Sequence, residues 1–439
     1  MIESFRKLLG WPRRHPRLLA LLLVLAIPGA GAAGVSLWAQ YHFDAARRAL
    51  ERDSLDEAQD HLDLCLKVPF RGAAVHLLAA RTARRRDAYA EAERHLAACE
   101  QIAGMTKEVA RERLLLTAQQ GELEGVEGLL QGHTGADDPE AVPTLEALAK
   151  GYAHRYWQTD ALECLNRLLE RQARHTVALR MRAQVLEELA RKGQAEEAAD
   201  ALRAYEQAVE VNPAFDARLG LTGALYRVGR PRDALIEYER LRSAQTDNAQ
   251  ILLGLARCHY SLHEVEEAQR LLDELLRQHA DHPAGLLERG RLALHAGQLG
   301  EAEKWLRRAA ARALPCEFGA LRSLAQCLEA QNKHDEARSC LDRLRANEME
   351  VLEVESRMLQ ANRDPRNVAL RYEIARDLMR LGREQDGVAA LYLVLEQQPK
   401  HGPAHAVLAD YFERTGQPDR AARHRRDASP GADALTTAR

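Results

Sequence analysis

Apolar side chains recur every three or four residues along most of this chain, and short polar segments separate the runs. The segment 248–283 shows the pattern in its simplest form. Its first run predicts an amphipathic helix, because such spacings place residues on one helical face; that face is Leu252, Leu255, Ala256 and His259. A second run predicts another such helix, with the face Ala268, Leu271, Leu272, Leu275 and Leu276. The polar residues 263–265 between them predict a tight turn, so the segment is a helical hairpin of a helix A and a helix B.

This hairpin recurs along the chain, and Ala268 marks one position of its helix B. Successive equivalents of Ala268 are 33 to 35 residues apart at eight of the ten steps, and 40 and 50 residues apart at the other two. These marker positions are Ala58, Ala92, Val126, Ala161, Ala201, Ala234, Ala268, Ala302, Ala337, Gly387 and Ala421. Two short helices cannot bury both of their faces alone, so each copy must pack against the next. The period predicts an all-α protein with contacts between consecutive hairpins.

At these positions the chain resembles the tetratricopeptide repeat (TPR) family, whose 34-residue unit has a small residue and a large one four positions apart in helix B. The pair appears as Ala161/Leu165, Ala234/Tyr238, Ala268/Leu272, Ala302/Leu306 and Ala337/Leu341. No copy has the family's tryptophan in helix A, so the repeats are divergent. The resemblance covers roughly residues 40–426. It implies a right-handed α–α superhelix, a TPR solenoid of about 11 repeats, that binds other proteins.

Three departures from the period complete the predicted organisation. The step of 50 residues predicts an extra helix near residues 348–362, where the helical pattern continues beyond its hairpin. The glycines that follow Val126 predict a degraded copy with a loosened loop. Residues 427–439 are polar and rich in small side chains, which predicts a disordered tail.

The N-terminal end follows another pattern. Residues 1–17 are basic, whereas Leu18–Phe43 contains no charged residue. At about 1.5 Å per residue this run is long enough to cross a hydrocarbon layer of about 30 Å, which predicts a transmembrane anchor over residues 18–39. Because five basic residues precede the run, the positive-inside bias predicts a single-pass membrane protein whose repeat domain is extracytoplasmic, in the periplasm. The alternative is a signal peptide that is cleaved after Ala32.

Composition narrows the classes of partner and of chemistry. The net charge of −3 argues against nucleic acid, since phosphate binding needs a basic surface. Seven cysteines occur without C-x-x-C or zinc-type spacing, and we interpret them as small buried residues. The alternative is a disulfide between Cys327 and Cys340 across one hairpin.

An enzyme is not predicted. The repeats leave no room for a catalytic domain after residue 40, and the sequence has neither a G-x-S-x-G elbow nor a glycine-rich phosphate loop. His259 and His263 stand four residues apart but lack the glutamate of H-E-x-x-H, so a packing role is favoured over metal binding. Accordingly, we predict no cofactor and no metal.

Helix A lines the concave face in solenoids of this family, and equivalent residues of successive repeats align there. The residues eleven before five of the markers are basic, and tyrosines stand eight residues before the markers Ala234 and Ala268. The set is Arg81, Lys150, Arg257, Arg291 and Arg376, with Tyr226 and Tyr260. This column suits an acidic peptide, because arginine pairs bidentately with carboxylate and tyrosine adds contact area at low entropic cost. The alternative is a solvated face whose arginines pair with Glu288 and Glu373.

The sequence thus predicts a membrane-anchored TPR scaffold that binds other proteins or peptides through its concave helix-A surface. One alternative is an accessory or assembly factor of cell-envelope or polysaccharide biogenesis, by similarity to bacterial anchored repeat proteins that regulate lipopolysaccharide synthesis. Another is a secreted TPR protein, if the N-terminus is a cleaved signal. A solenoid arm of a glycosyltransferase or protease would need a further domain.

Overall fold

The structure, a computed structural model, describes residues 16–52, 54–68, 72–135, 138–191, 196–364 and 366–428, and in the first helix it describes side chains from Gly34 onward. In these ranges all regular secondary structure is α-helical. The helices are α1 Pro16–Glu51, α2 Leu55–Cys65, α3 Ala73–Arg85, α4 Tyr89–Ala103, α5 Lys107–Gln119, α6 Glu127–Gln131, α7 Ala141–His154, α8 Gln158–Arg171, α9 Thr176–Arg191, α10 Glu196–Val211, α11 Phe215–Arg227, α12 Pro231–Ala244, α13 Ala249–Ser261, α14 Val265–Gln278, α15 Pro283–His295, α16 Leu299–Arg312, α17 Phe318–Ala330, α18 His334–Arg363, α19 Val368–Leu381, α20 Glu384–Gln397, α21 Gly402–Arg414 and α22 Pro418–Ala428.

These helices form two compact units that divide between Gln120 and Gly121. In the first unit, α1 pairs with α2 and α3 pairs with α4, and α5 follows. In the second unit, the successive hairpins run from α7–α8 to α21–α22, and each helix B also packs on the helix A that follows it, for example α12 on α13 and α16 on α17. The predicted all-α repeat architecture is therefore confirmed.

The marker residues lie where helix B presses against helix A. The nine marker alanines are fully buried, and Val126 of the degraded copy is half-buried. Gly387 replaces alanine in one copy because an added Cβ would lie 2.7 Å from Met379 Sδ and 3.1 Å from the Ala375 carbonyl oxygen. A bulkier side chain at such a contact overpacks it, typically at a cost of about 1–3 kcal/mol.

The turn between the helices has a conformation of its own. Five residues before nine of the markers, the backbone enters the left-handed region, at Asp87, Gly121, Tyr156, Gly229, His263, Gly297, Asn332, Gly382 and Gly416. Glycine, asparagine, aspartate and histidine tolerate this conformation best, so most of these residues suit the turn. Tyr156, with a φ of 57°, is the exception. A bulky residue persists in that region only when surrounding contacts hold it there.

The predicted membrane location is wrong. Within the part of the chain that the structure describes, no helix combines the length and apolar character that a membrane span requires. The segment 18–39 belongs to α1, which continues without a break to Glu51. The last turns of α1 form helix A of the first hairpin, where Ala46 and Ala49 are fully buried. Residues 1–15 of the basic segment and residues 429–439 of the predicted tail lie outside the described residues.

The residues expected to form an extra helix near 348–362 are the second half of α18, which is 30 residues long. This extension packs Val354 and Ala361 against Ile374 and Leu378 of α19. It therefore has a partner within the stack, and the long step between two markers reflects a lengthened helix B rather than a separate element.

The second unit also contains a contact that the repeat pattern does not predict. The hydroxyl groups of Tyr156 and Tyr411 lie 2.7 Å apart, although 255 positions separate these residues in the chain. Trp157 Nε1 donates a hydrogen bond of 3.5 Å to the Ala389 carbonyl oxygen. Both side chains pack against the core around Leu391 and Phe412. We call this contact the clasp, formed by Arg155, Tyr156 and Trp157 on one side and Tyr392, Tyr411 and Arg420 on the other.

Candidate protein-binding site

Four of the seven predicted site residues line one cavity of about 700 Å³ in the second unit: Tyr226, Arg257, Tyr260 and Arg291. They belong to α11, α13 and α15, the helices A of three successive repeats. Because these repeats keep the regular spacing, equivalent helix-A positions align side by side. The structure thus brings four of the residues that the sequence singled out around one cavity.

A single carboxylate lies between the two arginines of the cavity. Glu288 Oε1 is 2.9 Å from Arg257 Nη2, and Glu288 Oε2 is 3.8 Å from Arg291 Nη1. Arg291 Nε also donates a hydrogen bond of 3.2 Å to Ser323 Oγ. The side chains of Arg257 and Arg291 remain 39% and 41% exposed. Arg257 and Arg291 are therefore paired within the protein, as the alternative interpretation of the sequence expected, but only in part, because their two positive charges share the single negative charge of Glu288.

The rest of the cavity combines tyrosines with an apolar floor. Tyr260 is 39% exposed, and its ring centroid lies 6.0 Å from that of His295. The Tyr226 hydroxyl is 3.3 Å from Ser261 Oγ. Leu272 and Leu292 are buried beneath them and line the same space. The site can therefore receive a carboxylate together with an adjoining apolar group.

The other three predicted residues are elsewhere. Arg81 lies in the first unit, where its Nε is 3.4 Å from Glu112 Oε2. Lys150 is only 6% exposed, and its Nζ is 3.6 Å from Glu146 Oε1 inside the α7 packing.

Arg376 is exposed on α19 and has no ion-pair partner among the described residues. Glu373, the partner that the sequence suggested, pairs instead with Arg357 at 3.3 Å. The basic column is therefore interrupted, and Arg257 and Arg291 are its only two members in the cavity.

Sequence reasoning missed Ser261 and His295, which complete the cavity wall. Each stands seven residues before its marker, directly after the tyrosine position on helix A. Comparing this position across repeats would have found both residues, because it lies four residues after the arginine position and therefore on the same helical face as the arginines.

The remaining candidate groups have structural roles. His259 Nδ1 is 2.5 Å from Glu264 Oε2, and His263 occupies the left-handed turn. All seven cysteines, including Cys327 and Cys340, are free thiols. Burial raises the pKa of Cys164 and Cys258 to about 12, so both stay protonated and unreactive near neutral pH.

Comparisons with known proteins agree with this architecture. Three sequence profiles described as tetratricopeptide repeats match residues 191–249, 225–288 and 344–428. No curated protein matches the chain.

Solved structures to which this chain shows similarity include PilW, a widely conserved type IV pilus biogenesis factor, at 19% identity, covering 46% of this chain and 90% of PilW with a TM-score of 0.40. A thermophilic TPR protein of Thermus thermophilus is 19% identical and covers 45% of this chain and 99% of its own, with a TM-score of 0.33. A monomeric mutant of IFIT1 with Gppp-AAAA is 13% identical and covers 88% of this chain and 89% of its own, with a TM-score of 0.39.

Stacked helical hairpins with a helix-A cavity define a helical-repeat interaction protein. Residues 191–288 and 344–428 of the chain consist of tetratricopeptide repeats. Tetratricopeptide repeats are protein-interaction scaffolds, and this chain is such a scaffold.

Proposed function

We propose that this protein is a non-catalytic scaffold that holds an acidic segment of another protein in the cavity between α11, α13 and α15. The observation that carries the proposal is the shared carboxylate: Glu288 offsets only one of the charges of Arg257 and Arg291. An incoming carboxylate supplies the missing negative charge, and arginine can bind it through two parallel hydrogen bonds.

The apolar floor favours a ligand that is not acidic throughout. Leu272 and Leu292 line the cavity, and an apolar side chain of a ligand gains about 1.5–3 kcal/mol where the cavity buries it completely. An ion pair at a half-exposed arginine adds only about 0.2–1 kcal/mol. The preferred ligand therefore carries an aspartate or glutamate beside a large apolar residue, which supplies most of the affinity while the carboxylate supplies selectivity.

A labelled peptide library tests this proposal. Its members contain Asp or Glu beside Leu or Phe, and the matched library replaces Asp and Glu by Asn and Gln. Binding to the full chain is followed by fluorescence anisotropy at two salt concentrations. We expect the acidic library to bind more tightly, and raised salt to weaken it, because exposed charges are screened.

Arg257→Glu/Arg291→Glu should weaken acidic peptide binding at least about ten-fold, since it replaces both attractive charges with repulsive ones. The matched control is Arg240→Glu/Arg270→Glu, which makes the same charge change at side chains that are 61% and 74% exposed and lie outside the cavity. Equal loss in both double variants, or equal binding of both libraries, would contradict the proposal.

A further inference from the structure

Three hairpins contain a pair of histidines in contact across their two helices. The pairs are His42–His61, His76–His95 and His405–His424, with Nδ1–Nδ1 distances of 2.9, 3.2 and 2.9 Å. In each pair one histidine stands sixteen residues before the marker and the other three residues after it. The same positions hold the buried pair Leu252 and Leu271 in the α13–α14 hairpin. A titratable pair thus replaces an ordinary apolar contact.

When both rings of the last pair are neutral, every hydrogen bond around them has a donor and an acceptor. His405 Nε2 lies 2.9 Å from the Pro399 carbonyl oxygen, which can only accept, so this nitrogen carries a proton. In a neutral ring Nδ1 of His405 is then an acceptor, and Nδ1 of His424 must donate to it. Nε2 of His424 consequently accepts the hydroxyl proton of Tyr392 at 3.3 Å. Arg420 Nη2 donates to the same hydroxyl oxygen at 3.0 Å.

This network shares two of its members with the clasp. Arg155 places its guanidinium 4.6 Å from the centroid of the Tyr392 ring. Arg420 stacks over Phe412 at 3.8 Å and donates a hydrogen bond of 3.4 Å to the His154 carbonyl oxygen. The histidine pair and the clasp are therefore connected through Tyr392 and Arg420.

The charges facing the pair are mostly positive. Burial, together with Arg420 and Arg423 of α22 and Arg155 from the turn before α8, lowers the pKa of His424 to about 3. The nearby carboxylates are already bound, Glu124 to Arg155 at 2.6 Å and Glu122 to Arg423. Of the other titratable groups at the clasp, Tyr156 and Tyr411 are hydrogen-bonded to each other. The Nδ1 atom of His154 lies 3.4 Å from Arg420 Nη1.

We propose that the His405–His424 pair is a proton-sensitive latch, and that protonation of the pair opens the clasp between the two ends of the second unit. A proton added to Nε2 of His424 removes the hydrogen bond that this nitrogen accepts from the Tyr392 hydroxyl. The added charge also lies beside three arginines. Separating Tyr392 and Arg420 from Arg155 relieves this repulsion and admits water to the rings. It also leaves the turn between α7 and α8, where Tyr156 has a left-handed backbone, without the contacts that hold it, so that this turn loosens while the other hairpins keep their helix–helix packing.

The expected size of the effect follows from proton linkage. A histidine exposed by opening regains its ordinary pKa of about 6.5. Between pH 7.5 and pH 5.5 the equilibrium constant for opening therefore rises about ten-fold, because His424 gains a proton only in the open state.

Hydrogen–deuterium exchange of the full chain, corrected for the intrinsic rate at each pH, measures this opening. We expect the protection of amides in residues 153–160 to fall about ten-fold from pH 7.5 to pH 5.5. Protection in α13 should not change, because α13 lies outside the clasp. Unchanged protection of residues 153–160, or a parallel loss in α13, would overturn the proposal.

His405→Leu/His424→Leu installs the residues that the α13–α14 hairpin uses at these positions, and it should abolish the pH response of residues 153–160. His76→Leu/His95→Leu makes the same change in the first unit and should leave that response intact. If the first double variant does not fold, His405→Gln retains a donor for the Pro399 carbonyl oxygen and should reduce the response. A response of parental size in a folded latch variant would refute the assignment.

Discussion

The cavity and the clasp use the same residue types in opposite ways. In the cavity, Arg257 and Arg291 are about two-fifths exposed and share one carboxylate. In the clasp, Arg155 is 2% exposed, and its guanidinium donates to both oxygens of Glu124 and to the Gly121 carbonyl oxygen at 2.6 Å. It also lies over the Trp157 and Tyr392 rings. The comparison teaches that a tyrosine-flanked arginine is available to a partner only where its side chain is exposed and where the protein does not itself supply the whole balancing negative charge.

The largest expected difference is in stability. Arg155→Ala should lower the free energy of unfolding of the second unit by about 2–4 kcal/mol, because it leaves the Gly121 carbonyl oxygen without its donor and removes the stacked guanidinium. Arg257→Ala should change it by less than about 0.5 kcal/mol, as expected for a half-exposed side chain. Urea unfolding followed by circular dichroism measures both values. If both substitutions lower the free energy of unfolding equally, the clasp arginine is no more important for stability than the cavity arginine, and the comparison drawn above is wrong.

Acid should destabilise the clasp side of this comparison. The folded-state pKa of His424 is lowered from 6.5 to about 3, so its stabilising contribution is full above pH 6.5 and is lost as the pH falls toward 3. Between pH 7.5 and pH 5.5 the loss is roughly 1.4 kcal/mol, because the unfolded state takes up a proton that the folded state does not.

Urea unfolding at the two pH values measures this loss. His424→Leu isolates the contribution of His424 from those of His95 and His282, whose pKa values burial also lowers. If His424→Leu loses as much free energy of unfolding between the two pH values as the parent protein does, the loss belongs to groups other than His424.

The smallest effect should appear in the cavity. Glu288→Gln removes the carboxylate that both arginines share, so acidic peptides no longer compete with it. We expect binding to tighten by a factor of about two to five, which corresponds to roughly 0.4–1 kcal/mol for a half-exposed ion pair. Titration of the acidic library by fluorescence anisotropy measures the change, and the amide library should show none. Weaker binding would mean that Glu288 holds the arginines in their binding geometry.

The cavity shows how far local sequence reasoning reaches. Arg257 and Arg291 could be predicted to lie side by side because each occupies the same position in a regular repeat. Lys150 occupies that position too, yet it is buried beside Glu146, and His175 Nε2 lies 3.7 Å from the same glutamate. Its burial depends on which neighbours cover α7, and repeat position alone does not contain that information.

The prediction of a membrane span at the N-terminal segment was wrong for a related reason. An uncharged run predicts a span by length and hydropathy, but α1 continues into the first hairpin, and no described helix meets the requirements of a span. The pattern of one segment does not show which neighbour its helix joins.

The sequence by itself determined the hairpin, its period and its packing positions, because these depend on apolar spacing, on small residues such as Ala268 and on turn residues that accept a left-handed backbone, such as Gly297. Only the tertiary structure decided that Tyr156 meets Tyr411 and that His424 lies near Arg155. Each repeat is rotated slightly relative to the one before it, and the sum of many small rotations determines whether distant repeats meet. That sum is a property of the assembled stack, and no single repeat encodes it.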